Sequence, residues 1–419
     1  MGPFAFDPDR FTKLVWGLPW IVRYPFWRAR QTVRSLTEGG DGAPHLIFII
    51  ANHFEPAYNV EPNEYGGLGI PLSWDEQAVR LERWCKQARA IGSAVTDHDG
   101  TPLRHTNFYP AEQYHAGLLD QLAELQADGF GEAEIHLHHG IEAPDTPENT
   151  RRALVEFRDT MAEKHKLLSR FKDGDQPRYA FVHGNWALAN SNHNRYCGVD
   201  SEMQILAETG CYADLTLPSA PDRSQVSRIN ALYQCGLPMD QPAPHRRGPD
   251  IKTGDQLNLP IILGGPLIFD FSRRRYGIPV PRVDTGVLSQ KYPLNVDRLD
   301  RWRSAAISVR GRPDWVFVKL YCHGFFPEDE SVVIGEDLRK FFADVIELGE
   351  RTGQFRVHFA TAREAFNMVQ AAVEGYDNQP GQYRDFALRQ IMFERPHANV
   401  SVPDCVQVGY GIQAVDLEK

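Results

Sequence analysis

Histidines, carboxylic acids and amides cluster in this sequence at the points where apolar, strand-like runs end. Residues 45–51, 133–138 and 314–322 are three such runs. Because the carboxyl ends of parallel strands meet at one edge of a sheet, we expect the polar residues that follow them to lie close together. In chain order the candidates are Asn52, His53, Glu55, Glu112, His136, His138, His139, Glu142, His183, Asn185, Trp186, Asp214 and His323.

The histidines have the most specific chemistry among these candidates. His136 and His138 are two residues apart, so a strand directs both to the same face, while His139 points to the other face or begins the loop. Neutral imidazole is a common ligand of divalent cations. Two imidazoles with one carboxylate, such as that of Glu55, form a three-ligand site whose fourth position is open for water. The sequence therefore predicts a divalent metal, with zinc as the expected ion and hydrolysis as the expected chemistry.

Strand-like and helix-like segments alternate from residue 45 to about residue 375 and must position these side chains. A helix is predicted from Pro147 to about Phe171, and the proline- and charge-rich residues 221–256 predict a loop excursion. Capping signals predict further helix starts at Ser73 with Glu76, Ser201 with Gln204, and Thr361 with Glu364.

Repeated strand–helix units predict parallel strands with outer helices, which is the α/β class. The length of the alternating region is close to that of a (β/α) barrel. We therefore predict an N-terminal extension over residues 1–44, a barrel over residues 45–375 and an irregular C-terminal extension over residues 376–419.

The composition excludes several classes of protein. The chain has 419 residues, 42% of them hydrophobic, and a formal net charge of -10, which favours a globular protein and not a nucleic-acid binder. The six cysteines are scattered and include no C-x-x-C pair, so they do not predict a disulfide framework. No segment has the length of a membrane span and no signal-peptide pattern is present, so we expect a cytoplasmic protein.

Residues 11–30 qualify that expectation because they mix tryptophans and phenylalanines with arginines. Such a mixture suits a membrane interface, so peripheral membrane contact is one interpretation, although the packed helix described next is favoured over it. The alternative is an N-terminal helix that packs on the barrel, since Pro19 and Pro25 interrupt any long amphipathic helix.

The order of motifs resembles the glycoside hydrolase/deacetylase superfamily, and within it the polysaccharide deacetylases of the NodB homology fold. The resemblance is one of layout over residues 45–375 and implies an irregular seven-stranded deacetylase-type barrel. Phrases such as HGNWALANS are similar to an uncharacterised bacterial branch of that superfamily. The segments that carry the likeness are IIANHFEP, HTNFYPAEQ, GEAEIHLHHG, FVHGNW, VKLYCHG and VHFATAREAFNMV.

The resemblance implies roles for individual residues, with some departures. His138 matches the first metal-binding histidine of the family, and His323 matches a late-strand histidine that the family uses as a general acid. The second metal-binding histidine is replaced here by Glu142. The family's base and metal-binding aspartates fall near His53 and Glu55, so its standard mechanism does not transfer unchanged.

Three functions fit these residues best, and metal-dependent hydrolysis of some other small metabolite remains as a further alternative. The first is a metal-dependent hydrolase that removes an N- or O-acyl group from an amino sugar or polysaccharide precursor. Glu55, His136 and His138 would hold the metal, His53 would act as base and His323 as acid. The residues that would line the substrate groove are Asn52, Glu112, His139, His183, Asn185 and Trp186.

The second function is a retaining glycosidase of the same superfamily. It would use Asp214 and Glu55, whose carboxyl groups would have to lie about 5–5.5 Å apart. The third is a catalytically lapsed barrel that binds glycan without turnover. The oligomeric state is not predicted.

Overall fold

The computed structural model describes residues 8–38, 42–58, 71–272 and 274–393. Its α-helices, within those residues, are α1 (Pro8–Ile21), α2 (Tyr24–Thr37), α3 (Trp74–Ala94), α4 (Ala116–Ala127), α5 (Pro147–Glu163), α6 (Glu202–Thr209), α7 (Val296–Ser304), α8 (Glu330–Val333), α9 (Glu336–Thr352) and α10 (Ala362–Val373).

The strands are interleaved with these helices. They are β1 (His45–His53), β2 (His105–Pro110), β3 (Gly131–Leu137), β4 (Ser169–Phe171), β5 (Tyr179–His183), β6 (Cys211–Asp214), β7 (Leu232–Gln234), β8 (Ile261–Leu263), β9 (Ile268–Asp270), β10 (Arg274–Arg275), β11 (Ile278–Pro279), β12 (Arg282–Asp284), β13 (Trp315–His323), β14 (Arg356–Phe359) and β15 (Leu388–Gln390).

A largely parallel sheet forms the centre of the fold. In the described part of the chain it has nine strands in the spatial order β13-β1-β2-β3-β5-β6-β8-β7, and β14 also pairs with β1. Only β7 runs antiparallel to its neighbour, β8. The mixed α/β class predicted from the strand–helix alternation is confirmed.

Strand β1 is central because it pairs with three strands. It pairs with β13 along its whole length, with β14 through residues 45–48 and with β2 through residues 51–53. Its uninterrupted apolar sequence fits this position, since a parallel strand covered on both faces excludes water from both sides. The β1–β13 register sets His53 opposite His323, so two candidate residues end at the same level.

Alternate residues of β1 enter two different hydrophobic cores. Phe48 belongs to the larger core, together with Leu81 of α3 and Phe342 of α9. Ile49 belongs to the second core, with Val182 of β5 and others from the opposite face of the sheet. The period-two alternation of strand side chains therefore separates the layer that faces α3 and α9, which we call helix-facing, from an inner layer into which only α10 among these three helices packs.

The two ends of the sheet approach each other. Residues 286–288 run beside β13, where Leu288 N–H donates to Tyr321 O at 2.8 Å. After β8 the backbone passes so close to β13 that a Cβ atom at Gly265 would lie 2.5 Å from Lys319 O. The absence of a side chain at residue 265 thus permits contact between distant parts of the sheet.

The helix predictions are confirmed at most starts and wrong at some ends. Both Ser73 and Thr361 form complete capping boxes. The predicted helix from Pro147 ends at Glu163 and not near residue 171, because Lys166 and Leu168 have positive φ angles of 56° and 66°. The capping box predicted at residue 201 is absent, since that serine makes no side-chain cap hydrogen bond.

Residues 11–30 fall in two helices, as the prolines predict. Pro19 lies in the last turn of α1, and Pro25 occupies the first turn of α2. Trp20 is buried and stacks on Phe269 at a centroid distance of 5.2 Å, so this segment packs on the body of the protein. Large hydrophobic side chains on the outer surface of the two helices remain exposed, including Leu14, Leu18, Phe26, Val33 and Leu36. Among the described helices, none is long and apolar enough to cross a membrane.

A buried carboxylate at the start of α10 makes the free energy of unfolding depend on pH in the acid range. Burial acts to raise the pKa of Glu364, but Arg104, Arg384 and Arg363 hold it at about 2. A carboxyl group with a depressed pKa stabilises the fold above its unfolded value near 4.5 and loses that effect as pH falls through about 2. We expect Glu364→Gln to lower the free energy of unfolding by about 3 kcal/mol at pH 7.

Urea unfolding at pH 7 and pH 3 measures this effect. The difference between Glu364→Gln and the wild type should shrink at the lower pH. The matched control is Glu374→Gln at the exposed end of the same helix, which should leave the unfolding free energy unchanged at both pH values. An equal loss for Glu364→Gln at both pH values would contradict the electrostatic explanation.

Candidate metal-binding sites

One candidate site lies on the inner side of the sheet, at the carboxyl ends of β1, β3 and β13. His53 ends β1, His136 lies near the end of β3 and His323 ends β13. The His53 ring centroid is 4.9 Å from that of His136 and 4.7 Å from that of His323. Glu55 follows β1 and is 6% exposed. The structure therefore brings together the strand-end residues that the sequence singled out.

Three ligand atoms in this site are close enough to share a cation. One atom each of His53, Glu55 and His136 lies within 4.8 Å of the others, and all three residues are buried. His136 Nδ1 is 2.6 Å from Val182 O, to which it donates, so Nε2 carries the lone pair. That Nε2 is buried without a hydrogen-bond partner and lies 3.5 Å from Glu55 Oε1. We call these three residues the open site.

His138 lies beside the open site between two carboxylates. Its Nε2 is 2.9 Å from Glu55 Oε1, and its Nδ1 is 2.7 Å from Glu112 Oε1. The other Glu112 oxygen accepts from the His138 backbone N–H at 3.2 Å. Burial acts to lower the pKa of His138, but the hydrogen bonds to Glu112 and Glu55 raise it to about 10. Glu112 thus fixes the orientation of His138 instead of lining a groove by itself.

The electrostatics of the open site favour neutral histidines and an ionised carboxylate. Burial, followed by the neighbouring His323 and His136, lowers the pKa of His53 well below its ordinary value. Burial also lowers the pKa of His323. Burial would raise the pKa of Glu55, but the adjacent imidazoles of His136 and His138 hold it well below its ordinary value. Neutral imidazoles and a carboxylate are the protonation states in which these groups bind a metal.

A strained loop after β5 places an aromatic ring at this site. Asn185 and Trp186 both have positive φ angles, 54° and 57°. The Trp186 ring lies 6.4 Å from the His53 ring and 6.2 Å, edge on, from the His323 ring. Backbone strain of this kind clusters at functional sites. Trp186 therefore forms one wall of the open site, whereas Asn185 is exposed.

Asp214 lies deeper in the sheet and is fully buried. Its two oxygens accept hydrogen bonds from Thr216 N–H at 3.1 Å and Thr216 Oγ1 at 2.8 Å. Burial raises the pKa of Asp214 to about 7 and lowers the pKa of the buried Lys319 to about 7. Lys319 is a buried ionisable residue of β13 that sequence reasoning missed. The alternation of β13 was the available signal, since Lys319, Tyr321 and His323 share one face.

A second candidate site lies behind the sheet, on its helix-facing side. One ligand atom each of four buried residues lies within 4.8 Å of the others. His139 Nε2 is 3.0 Å from His183 Nε2 and 2.9 Å from Glu202 Oε1. Cys197 Sγ is 3.6 Å from Glu202 Oε2. We call His139, His183, Cys197 and Glu202 the closed site because protein atoms supply four ligands.

The closed site gathers more acceptors than donors and so requires positive charge. Burial would lower the pKa of His139, but Glu202 and Asp145 raise it to about 12. Burial would likewise lower the pKa of His183, but the negative charge of Glu202 raises it to about 9. In return these two imidazoles hold the pKa of Glu202 well below its ordinary value. Protons on the histidines and a bound cation are the two ways to supply that charge.

A third group of possible ligands is already paired with an arginine side chain. Asp97, Asp99 and His358 lie together at the opposite end of β1. Arg384 Nη2 is 3.0 Å from Asp97 Oδ2 and 3.5 Å from Asp99 Oδ2. The guanidinium therefore neutralises these carboxylates, and we interpret the group as an ion-pair network.

Four further candidates from the sequence have other surroundings. Asn52 is buried on the helix-facing side, where its amide donates to Asn107 Oδ1 at 3.0 Å. Glu142 is exposed in the loop after β3 and belongs to none of the possible ligand groups among the described residues. His139 and His183, which were expected to line a groove, belong to the closed site. Cys197 and Glu202 were missed because their spacing matches no familiar metal motif.

No protein-family model matches the chain, and no curated protein matches it either.

Proposed function

We propose that this protein is a metal-dependent hydrolase that removes an acyl group from an amino sugar or a related carbohydrate. The observation that carries the proposal is the open site, where His53, Glu55 and His136 converge in a buried position at the strand ends. The motif layout that resembles polysaccharide deacetylases supports the same reaction class. The strand-end location is the usual place for catalysis in α/β proteins.

The residues of the open site fit a divalent cation. Two imidazoles and one carboxylate form a common catalytic ligand set that keeps a further position free. The unpaired, buried Nε2 of His136 would otherwise be left without a partner, which costs free energy. A bound cation would supply a Lewis acid that polarises the acyl carbonyl. His53 thereby becomes a ligand in this proposal, in place of the base that the sequence suggested.

Proton transfer falls to the side chains around the ligands. His138 is held by Glu112 and contacts Glu55, so it can hold a proton at Nε2 beside the reacting group. His323 stacks on Phe326 at a centroid distance of 4.7 Å, which fixes its ring at the mouth of the site. We assign these two histidines to the acid and base roles, and Trp186 to stacking on a sugar ring.

We further propose that the sheet is a (β/α) barrel. Seven parallel strands follow one another in spatial order from β13 through β1, β2, β3, β5 and β6 to β8. The close approach of residue 265 and of residues 286–288 to β13 supports closure between the last and first of them. Closure would enclose the inner core and leave the open site at one mouth.

A second candidate function is a retaining glycosidase that uses Asp214 and Glu55. The observation in its favour is the opposite perturbation of the two carboxyl groups, since the pKa of Asp214 is raised to about 7 and that of Glu55 is lowered. Such a split is typical of an acid and nucleophile pair. Against it, both Asp214 oxygens are occupied by Thr216 and the residue is completely buried.

Chelation tests the two candidates against each other. We expect acyl release from N-acetylated amino sugars by the purified protein to be lost after treatment with a chelator and restored by zinc or cobalt. Mass spectrometry for acetate and for cleaved glycosidic bonds on the same substrates gives both readouts. Glycosidic cleavage that survives chelation would replace the hydrolase proposal with the glycosidase.

Glu112 is expected to act as a positioning residue. Glu112→Gln removes the charged acceptor of His138 Nδ1, so we expect kcat for acyl release to fall roughly 10–100-fold. KM and the bound metal should change little, because the ligands of the open site are untouched. Steady-state kinetics with metal analysis measure all three quantities. The matched control is Glu148→Gln in the exposed first turn of α5, and an equal fall in kcat there would refute the assignment.

A further inference from the structure

The closed site has the arrangement of donors that a tetrahedral cation requires. The Nε2 atoms of His139 and His183 are 3.0 Å apart and lie 2.9 and 3.3 Å from Glu202 Oε1. Cys197 Sγ lies 3.6 Å from the other oxygen of that carboxylate, Oε2. Zinc bonds of about 2.0–2.3 Å in a tetrahedron place ligand atoms about 3.3–3.8 Å apart. Each of these separations is within a few tenths of an ångström of that range, and one ligand atom of each of the four residues lies within 4.8 Å of the others.

The outer hydrogen bonds of the two imidazoles turn their lone pairs inward. His139 Nδ1 is 2.9 Å from Asp145 Oδ2, to which it donates, and that carboxylate also accepts from Thr150 Oγ1. His183 Nδ1 contacts Gly184 O. When a cation replaces the Nε2 protons while both Nδ1 atoms donate outward, the Nε2 lone pairs are directed to the space beside Glu202. A carboxylate or a carbonyl behind each ligating histidine is the usual support of a metal site.

The sulfur of Cys197 is also arranged as a ligand. Backbone N–H groups of Asn190 and Val199 donate to Sγ at 3.3 and 3.4 Å. Two such donors stabilise charge on sulfur, as a thiolate ligand requires. The backbone around Cys197 packs against residue 140, where glycine, with a φ of 63°, is required because a Cβ atom would overlap Cys197 O.

We propose that His139, His183, Cys197 and Glu202 bind a second, structural divalent cation of the zinc class. Four protein ligands leave no position for substrate, so this ion serves structure and not catalysis. It would tie the loop after β5 to the first residue of α6, because Glu202 Oε2 also accepts from Ala189 N–H at 2.6 Å. That loop carries Trp186, so the ion would hold one wall of the open site in place.

Cobalt substitution tests this site independently of any enzymatic activity. Co²⁺ is titrated into the chelator-treated, reduced full-length protein, while bound cobalt and the absorption spectrum are recorded. We expect about two bound equivalents, of which about one produces a thiolate-to-cobalt charge-transfer band. Of the two proposed sites only the closed site contains a cysteine, so the band distinguishes it from the open site.

Variants assign the band to its site. Cys197→Ser should remove the band and lower the bound cobalt by about one equivalent, whereas Cys85→Ser, in the helix-facing core, should retain both. His136→Ala should lower the bound cobalt and leave the band. A wild-type protein that binds cobalt without the band would overturn the second site and leave the proposed function standing. That wild-type spectrum decides the question even if Cys197→Ser does not fold.

Discussion

Replacing His136 with alanine is expected to abolish acyl release and to remove the metal of the open site. The imidazole supplies a buried Nε2 with no other partner, and Val182 O fixes its orientation at 2.6 Å. A metal that polarises a carbonyl contributes several kcal/mol to transition-state stabilisation. We therefore expect kcat/KM to fall roughly 10³-fold or more. Metal analysis and acyl-release kinetics on the same preparation measure the two losses together.

The matched control is a buried histidine at the other end of the neighbouring strand. His105 begins β2, and its Nε2 is 3.0 Å from Val333 O, far from any ligand of the open site along the strand. His105→Ala should reduce stability through the lost contact and cavity but keep the metal and the kinetic constants of the folded fraction. Retention of metal and full activity in His136→Ala would refute the open site as the catalytic centre.

Local rules predict most of the elements that build the two sites. The apolar run of β1 and the capping boxes at Ser73 and Thr361 depend on neighbouring residues, and the structure confirms them. The end of α5 was wrong because positive φ angles at Lys166 and Leu168 follow from tertiary packing, which no local pattern encodes. Strand β7 was hidden in the predicted loop excursion, since a three-residue strand has no usable periodicity.

Prediction of the site residues succeeded where strand alternation decided the outcome. It places His136 and His138 on one face and His139 on the other, as the structure shows. It could not assign His139 and His183 to a cluster with Cys197 and Glu202, because long-range packing of a strained loop brings these residues together. A group of possible metal ligands that comes from distant segments can therefore be identified only in the three-dimensional structure. Side chains that gather at strand ends can be predicted from the sequence.

Substitution of Arg363 is expected to lower the stability of the fold. This residue of α10 lies at the base of the sheet and is 2% exposed. Its guanidinium donates to both oxygens of Glu132 on β3, at 3.0 and 2.8 Å. It also donates to Asp385 Oδ1 at 2.6 Å and to Leu388 O at 3.0 Å, both in the segment that follows α10. Glu132 raises the pKa of Arg363 against the effect of burial, so the residue stays charged. One side chain thus joins the sheet, α10 and the C-terminal segment.

Arg363→Ala should therefore lower the free energy of unfolding by about 3–5 kcal/mol, because Glu132 would be left as an uncompensated buried charge. Urea unfolding measures the change. Arg339→Ala is the matched control, since that arginine pairs with Glu336 on the exposed surface of α9 and its loss should not alter stability measurably. Pairing Arg363→Met with Glu132→Leu should recover much of the loss, because the penalty arises from the unpaired carboxylate and not from the missing pair. If the double variant were as unstable as Arg363→Ala alone, the lost contacts to the C-terminal segment, and not the buried charge, would account for the effect.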